Sequence, residues 1–151
     1  MAMERTLSII KPDAVLNNVI GDIQSKIEAA GLSIVATKMT RLSKKQASSF
    51  YEVHKGKDFY EYLIKFMTSG PVIVQVLEGD DAIQKYRNVM GGTMFGTAEE
   101  GTIRKQYATS NAHNAVHGSD STYNAMREIG FFFPERQIYP RDNYTLPEPP
   151  K

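Results

Sequence analysis

The residues with the widest chemical reach in this chain are its three histidines, His54, His113 and His117. Two of them lie four apart in the run Asn111-Ala112-His113-Asn114-Ala115-Val116-His117-Gly118-Ser119-Asp120. On a helix they would share one face, which is a metal-ligand spacing, but Gly118 and the missing glutamate of an H-E-x-x-H pattern speak against zinc. Ser119 and Asp120 beside His117 suggest a hydrolytic triad, yet adjacent residues rarely aim at one reacting atom. A lone histidine is most often structural or superficial, and His113 fits that reading. His117 differs because Ala115 and Gly118 leave room for a bulky group at the ring, while Ser119 and Asp120 offer polar contacts. A neutral imidazole attacks phosphorus well once a partner fixes its other nitrogen.

Phosphate chemistry here cannot use a glycine-rich cradle. The spacing from Gly91 to Gly96 is followed by Thr97-Ala98 and not by the Lys-Ser/Thr of a P-loop, and no G-x-G-x-x-G occurs. Side chains must hold the phosphates instead, which draws attention to the arginines and lysines. The chain has no cysteine, so disulfides, thiolate metal sites, iron–sulfur clusters and cysteine nucleophiles are excluded together. Its 18 basic and 17 acidic side chains leave a formal charge of +1, too little to make a phosphate backbone the main partner. Nucleic acid is therefore not expected as a main ligand. Met1-Ala2-Met3-Glu4-Arg5 lacks the apolar stretch of a secretory signal, and no apolar run is long enough to cross a bilayer; the expectation is a soluble cytoplasmic protein with no membrane role.

The elements that must position this chemistry follow from patterning over 151 residues, the length of one ordinary domain. Thr6 to Ile10 alternates as a strand, and Pro12-Asp13-Ala14 suits a first helical turn. Ile20, Ile23 and Ile27 recur at helical spacing before Gly31, a left-handed stop. Ser33 to Arg41 reads as a second strand. Ser43 with Gln46 forms a capping box for a helix running through Phe50 and Tyr51 towards His54, and Asp58 with Glu61 repeats that pattern less well. Phe59, Leu63, Phe66 and Met67 give the next helix one apolar face, stopped by Gly70-Pro71. Val72 to Leu77 is nearly continuously apolar, a strand buried on both faces. A helix from about Asp81 to Met90 precedes a glycine-rich loop over 91–101, and Ser121 caps a helix through Ala125, Met126, Ile129 and Phe132. Strands and helices interleave, but the chain is too short for a doubly wound sheet. A ferredoxin-like β-α-β-β-α-β sandwich of class α+β, with helices covering one face of a mostly antiparallel sheet, fits better. Five of the seven prolines fall in the last 18 residues. That division gives a domain over 1–139 and a proline-rich tail over 140–151, either an arm on a neighbour or a loose end.

Motifs across nearly the whole chain carry a resemblance. Glu4-Arg5-Thr6-Leu7-Ser8-Ile9-Ile10-Lys11-Pro12-Asp13-Ala14-Val15 resembles the opening of the nucleoside diphosphate kinases, and Asn114-Ala115-Val116-His117-Gly118-Ser119-Asp120-Ser121 resembles their active-site signature. Phe50-Tyr51 with His54, Ser69-Gly70-Pro71, Val76-Leu77-Glu78-Gly79, Gly101-Thr102-Ile103-Arg104, Arg127-Glu128-Ile129 and Phe132-Phe133-Pro134 follow in the family's order. Two stretches depart from it. Gly92-Thr93-Met94-Phe95-Gly96 and Glu100 replace the family's usual G-x-T-N-P and a frequent proline before Gly101. Asn111 stands where an apolar residue usually lies beside the base, which suggests a modest base preference.

The resemblance implies a two-step transfer. His117 would take the γ-phosphoryl group from a donor triphosphate such as ATP, hold it as phosphohistidine and pass it to a nucleoside diphosphate. Glu128 would hold the other ring N–H, with Ser119 fixing both and Tyr51 beside the ring. Lys11, Arg87 and Arg104 match the phosphate-contacting cations, and Thr93 adds a hydroxyl. Phe59 matches the aromatic on which the base stacks, with Leu63 near it, although spacing alone reads both as core residues. Lys11 and Asn114 match residues near the ribose 3′-hydroxyl. Mg²⁺ bridging the donor phosphates is the implied cofactor, with no protein ligand assigned to it, and a homo-oligomer of four or six chains is the implied assembly. The alternative is a nucleotide-binding regulatory module with little catalysis, motivated only by the altered 92–100 loop.

Overall fold

A computed structural model describes residues 3–151; Met1 and Ala2, which the sequence assigns to the domain, lie outside the described residues. Four strands form one sheet: β1 (Met3–Ile10), β2 (Ser33–Thr40), β3 (Val72–Asp80) and β4 (Val116–Gly118), in the order β2-β3-β1-β4. All three pairings are antiparallel. The helices are α1 (Pro12–Leu16), α2 (Ile20–Ala29), α3 (Lys44–Phe50), α4 (Tyr60–Met67), α5 (Ala82–Met90), α6 (Ile103–Tyr107) and α7 (Thr122–Phe132). With α2 and α5 as the crossovers, this is the ferredoxin-like β-α-β-β-α-β sandwich that the patterning implies.

Side-chain alternation splits the core into two layers. Ile10 of β1 and Ile73 and Leu77 of β3 point towards Ile23 and Ile27 of α2 and Tyr86 and Met90 of α5. Leu7, Ile9, Val74 and Val76 point the other way, against Phe50 of α3, Ile64 and Met67 of α4 and Phe132 of α7. The second face of the sheet is thus also covered by helices, and this accounts for the continuous burial of β3 from Val72 to Leu77. Each such aliphatic side chain, fully withdrawn from water, contributes about 1.5–3 kcal/mol.

Local signals fix most of the boundaries. Ser43 and Gln46 make both bonds of the capping box on α3, and the Ser121 hydroxyl accepts the Asn124 N–H at the start of α7. Asp58 caps nothing; α4 begins at Tyr60, with Phe59 as the preceding residue and no side-chain cap. Met126, placed in the apolar set of α7, is 72% exposed. Two short elements lie beyond periodicity: β4 has three residues and α6 five, fewer than a repeat needs to declare itself.

The proline-rich end begins as an arm on the sheet edge. β2 carries a bulge between Ile34 and Ala36, and the Val35 carbonyl accepts the Tyr139 N–H at 2.8 Å. Arg141 Nη2 donates to the Ile34 carbonyl at 2.5 Å.

Gly118 has a role the sequence reading did not foresee. A Cβ there would sit 2.6 Å from Met90 Cε and 2.8 Å from Tyr86 Cδ2, so the missing side chain admits α5 to the sheet, on the face opposite His117. The glycine serves packing and not access to the ring. Gly118→Ala is expected to lower stability by about 1–3 kcal/mol through overpacking, measured by urea denaturation.

Candidate active site

The site is assembled where β4 lies against the end of β1. Ile9 pairs with His117 and Ile10 with Val116, and the chain beyond Ile10 continues directly into Lys11. The turn into β4 is tight. Ala115 has φ 73, its neighbour's Val116 N–H reaches back to the Asn114 carbonyl at 2.8 Å, and the residue is fully buried. This is a γ-turn at a non-glycine residue, a strained form that persists only where the surroundings hold it. Asp13 Oδ2 accepts the Ala115 N–H at 3.0 Å, and the Lys11 N–H donates to the Ala115 carbonyl at 2.8 Å. Asp13 is a positioning residue that the sequence reading did not single out; its signal was only its place after Lys11-Pro12.

His117 emerges from that turn onto the face shared with α3 and α7. Its Nε2 lies 2.8 Å from Glu128 Oε1, and Ser119 Oγ donates to the same oxygen at 2.8 Å. Ser119 is in turn fixed to β1, since its hydroxyl accepts the Leu7 N–H and its own N–H reaches the Leu7 carbonyl, both at 3.2 Å. Burial pushes the Glu128 carboxyl up, but the bond to and charge of His117, the Ser119 hydroxyl and nearby Arg127 outweigh it and hold the group below its ordinary value. Glu128 is therefore an acceptor at neutral pH, and in the neutral form of the ring the proton it accepts sits on Nε2, which leaves the Nδ1 lone pair free. Phe50 and Tyr51 pack edge-on to the ring at 5.6 and 6.3 Å between centroids. The buried Tyr51 hydroxyl has no partner among the described residues, and burial first and the Glu128 charge second raise its pKa, so it stays protonated.

Cations gather on the other side of the turn. Lys11 is buried and donates to Asn114 Oδ1 at 2.7 Å. Arg104, also buried, donates to the carbonyls of Gly91 at 3.0 Å, Val116 at 2.9 Å and Asn114 at 3.4 Å. Burial and the neighbouring Arg104 charge lower Lys11 to about 8, with Asp13 opposing them only in part. Burial lowers Arg104 too, with Tyr86 opposing it and Arg87 adding to it. Two buried like charges with so little compensation make a place prepared for an anion. Arg87, exposed on α5, and Thr93 line a cleft with Arg104, and a second cleft runs from Thr93 and Phe95 past Arg104 to Asn114.

A row of rings leads away from His117. Tyr51 stacks on His54 at 6.3 Å, and His54 lies 5.4 Å from Phe59. Phe59 is 51% exposed, so the core reading that spacing favoured does not hold for it; Leu63 is half-buried against the core. His113, expected to be structural, stacks on Phe66 at 4.5 Å and bonds through Nε2 to the Tyr62 hydroxyl, far from any shared helical face with His117.

The family model described as nucleoside diphosphate kinase matches residues 4–138. The chain belongs to the nucleoside diphosphate kinase family. A nucleoside diphosphate kinase of Nitrosospira multiformis is 58% identical over 141 residues, covering 93% of this kinase and 100% of the relative. The crystal structure of the Aquifex aeolicus nucleoside diphosphate kinase superposes with a TM-score of 0.88 at 41% identity, over 91% of this kinase and 99% of that chain. A halophilic nucleoside diphosphate kinase from Halobacterium salinarum, solved in complex with CDP, gives 0.89 at 39% identity, over 94% and 95%.

For this kinase the depressed Lys11 value has a thermodynamic consequence. Between about 8 and its ordinary 10.5 the unfolded chain holds a proton that the folded chain has released, so stability rises with pH across that window. Wild type is expected to gain roughly 2 kcal/mol relative to Lys11→Met between pH 7 and pH 9.5. Denaturant unfolding of both proteins at both pH values measures it, and equal changes would contradict the assignment.

Proposed function

We propose that this phosphotransferase works through a phosphohistidine on His117, moving the γ-phosphoryl group of ATP to a nucleoside diphosphate in two half-reactions. The observation that carries the reading is the Glu128 carboxylate on Nε2, which leaves Nδ1 as the only ring nitrogen able to attack. The Nδ1 lone pair forms the N–P bond as the bond from phosphorus to the bridging oxygen of the donor breaks, and the diphosphate leaves with that electron pair. The return step reverses the roles with a second diphosphate. Glu128 stabilises the positive charge that grows on the ring, and Ser119 keeps the carboxylate in line.

Lys11, Arg87 and Arg104 neutralise charge on the transferring group, which is the main catalytic task in phosphoryl transfer. Thr93 and the protonated Tyr51 hydroxyl add donors, and Asn114, bonded to Lys11, presents the ribose side of the pocket. Phe59, half in solvent at the end of the ring row, offers a π-face for the base, and Leu63 supports it. Stacking is available to every base, which suits broad tolerance. The Halobacterium relative's complex with CDP supports a diphosphate-sized site in this fold.

Mg²⁺ fits as an ion carried by the nucleotide. Among the described residues no cluster of three His, Asp or Glu side chains forms a cage, and Mg²⁺ is ordinarily held through phosphate oxygens with few protein ligands. When bound it would withdraw charge from the donor phosphates. The regulatory-module reading is not favoured, because His117, Glu128, Lys11, Arg87 and Arg104 are all present. We assign this chemistry to residues 1–139, place the kinase in the cytoplasm and expect a homo-oligomer of four or six chains, with residues 140–151 as a tail. Among the described residues no helix is long and apolar enough to cross a membrane.

After brief incubation with ATP, wild type is expected to carry one acid-labile, alkali-stable phosphate on His117, read by mass spectrometry. His117→Ala should lose both this phosphate and turnover while keeping most nucleotide affinity; persisting turnover would remove the nucleophile. Light scattering on the full chain and on a chain ending at Pro140 tests the tail, since an unchanged mass would deny it a clasping role.

A further inference from the structure

We propose that Asn111 is a positioning residue, latching the 92–96 loop across the nucleotide cleft through the Phe95 N–H; the inference rests on the nucleotide-binding reading above. The Phe95 N–H donates to Asn111 Oδ1 at 2.6 Å. Both partners belong to the stretches that depart from the family pattern. The bond needs an N–H at position 95, which a proline there would not have. Asn111 stands where an apolar residue would offer no acceptor. Neither replacement makes the bond without the other.

The donor side is a closed turn. The Thr97 N–H reaches the Met94 carbonyl at 3.1 Å and the Thr97 hydroxyl reaches the same oxygen at 2.6 Å. Gly96, third in that turn, has φ 91, as a type II turn requires. In such a turn the N–H of the second residue, here Phe95, takes no part in the closing bond and is left free for an outside acceptor. The acceptor side is held just as firmly. Thr109 N–H donates to the His113 carbonyl and His113 N–H to Ser110 Oγ, both at 3.0 Å, with Asn111 between them. The His113 ring lies nearly parallel to Phe66 and bonds to the Tyr62 hydroxyl at 2.7 Å, tying the segment to α4. Asn111 is thus a fixed post, and the loop leans on it.

What leans on it matters for binding. Thr93 borders both clefts, one with Arg87 and Arg104 and the other with Arg104 and Asn114. Releasing Phe95 frees the wall that carries Thr93, so part of the binding energy must then go into ordering the loop. Asn111 Oδ1 is taken up by the loop, so in place of the base preference expected from its position, the effect falls on the affinity for every nucleotide alike.

The variants Asn111→Leu, Phe95→Pro and the double change test the latch. A type II turn accepts proline at its second position, so Phe95→Pro removes the N–H and keeps the turn. Calorimetry with ADP and with CDP is expected to show affinity falling about two- to tenfold in each single variant, with KM rising in step and kcat unchanged. The double variant should be no weaker than the weaker single, since both changes delete one bond. Unchanged affinity in both singles, multiplied losses in the double, or a loss confined to one base would overturn the latch. Absence of phosphate on wild-type His117 after ATP would instead sink the phosphotransfer reading, while the calorimetry would still decide the latch.

Discussion

The hydrogen bond between the Glu128 carboxylate and His117 Nε2 is the constraint around which the site is arranged. It joins an edge strand of three residues to the second turn of α7, two elements with little else in common. Its value depends on the carboxylate staying charged although the residue is only 6% exposed. His117 contributes most to this, and Ser119 adds to it by donating to the same oxygen while its own position is set by the backbone of β1. Imidazole, carboxylate and hydroxyl therefore form one unit anchored to the central strand, and that rigidity leaves Nδ1 pointing in a defined direction.

The opposite side of the 114–117 turn is built against stability. Ala115 occupies a strained left-handed conformation, and Lys11 is buried close enough to Arg104 to be lowered by its charge. Burying an incompletely paired cation costs free energy that the two core layers must cover. An anion placed beside them would relieve this repulsion, which is the physical support for assigning phosphate binding to this side in the proposed function. The three carbonyls that Arg104 engages keep the guanidinium from relaxing outwards. Preorganisation of this kind suits phosphoryl transfer, in which positioning and charge dominate.

Some readings failed for physical reasons that particular residues display. Small residues around a histidine look like room for a substrate, but strand alternation turns Gly118 to the far face of the sheet, where α5 fills the space. Asp58 followed by Glu61 looks like a cap, yet the chain enters α4 two residues later. Phe59 shares helical spacing with Leu63, and only its place at the helix start leaves half its surface in solvent. In each case residue type and spacing were correct, and direction was missing.

The amino-acid sequence by itself determined the periodic elements, from the capping box at Ser43 to the doubly buried strand at Val72–Leu77. It also determined the family, through motifs spread from Glu4 to Pro134. These are local properties: a pattern of two or 3.6 residues, a cap or a motif needs only its neighbours in the chain. The tertiary structure alone decided that β4 exists, since three residues become a strand only when β1 offers them a ladder. It alone set Asp13 under Ala115, Ser119 against Leu7 and Asn111 against Phe95, contacts across 102, 112 and 16 positions. Such bonds join residues that no local pattern relates, and they form only after burial of the two apolar layers has brought distant segments together.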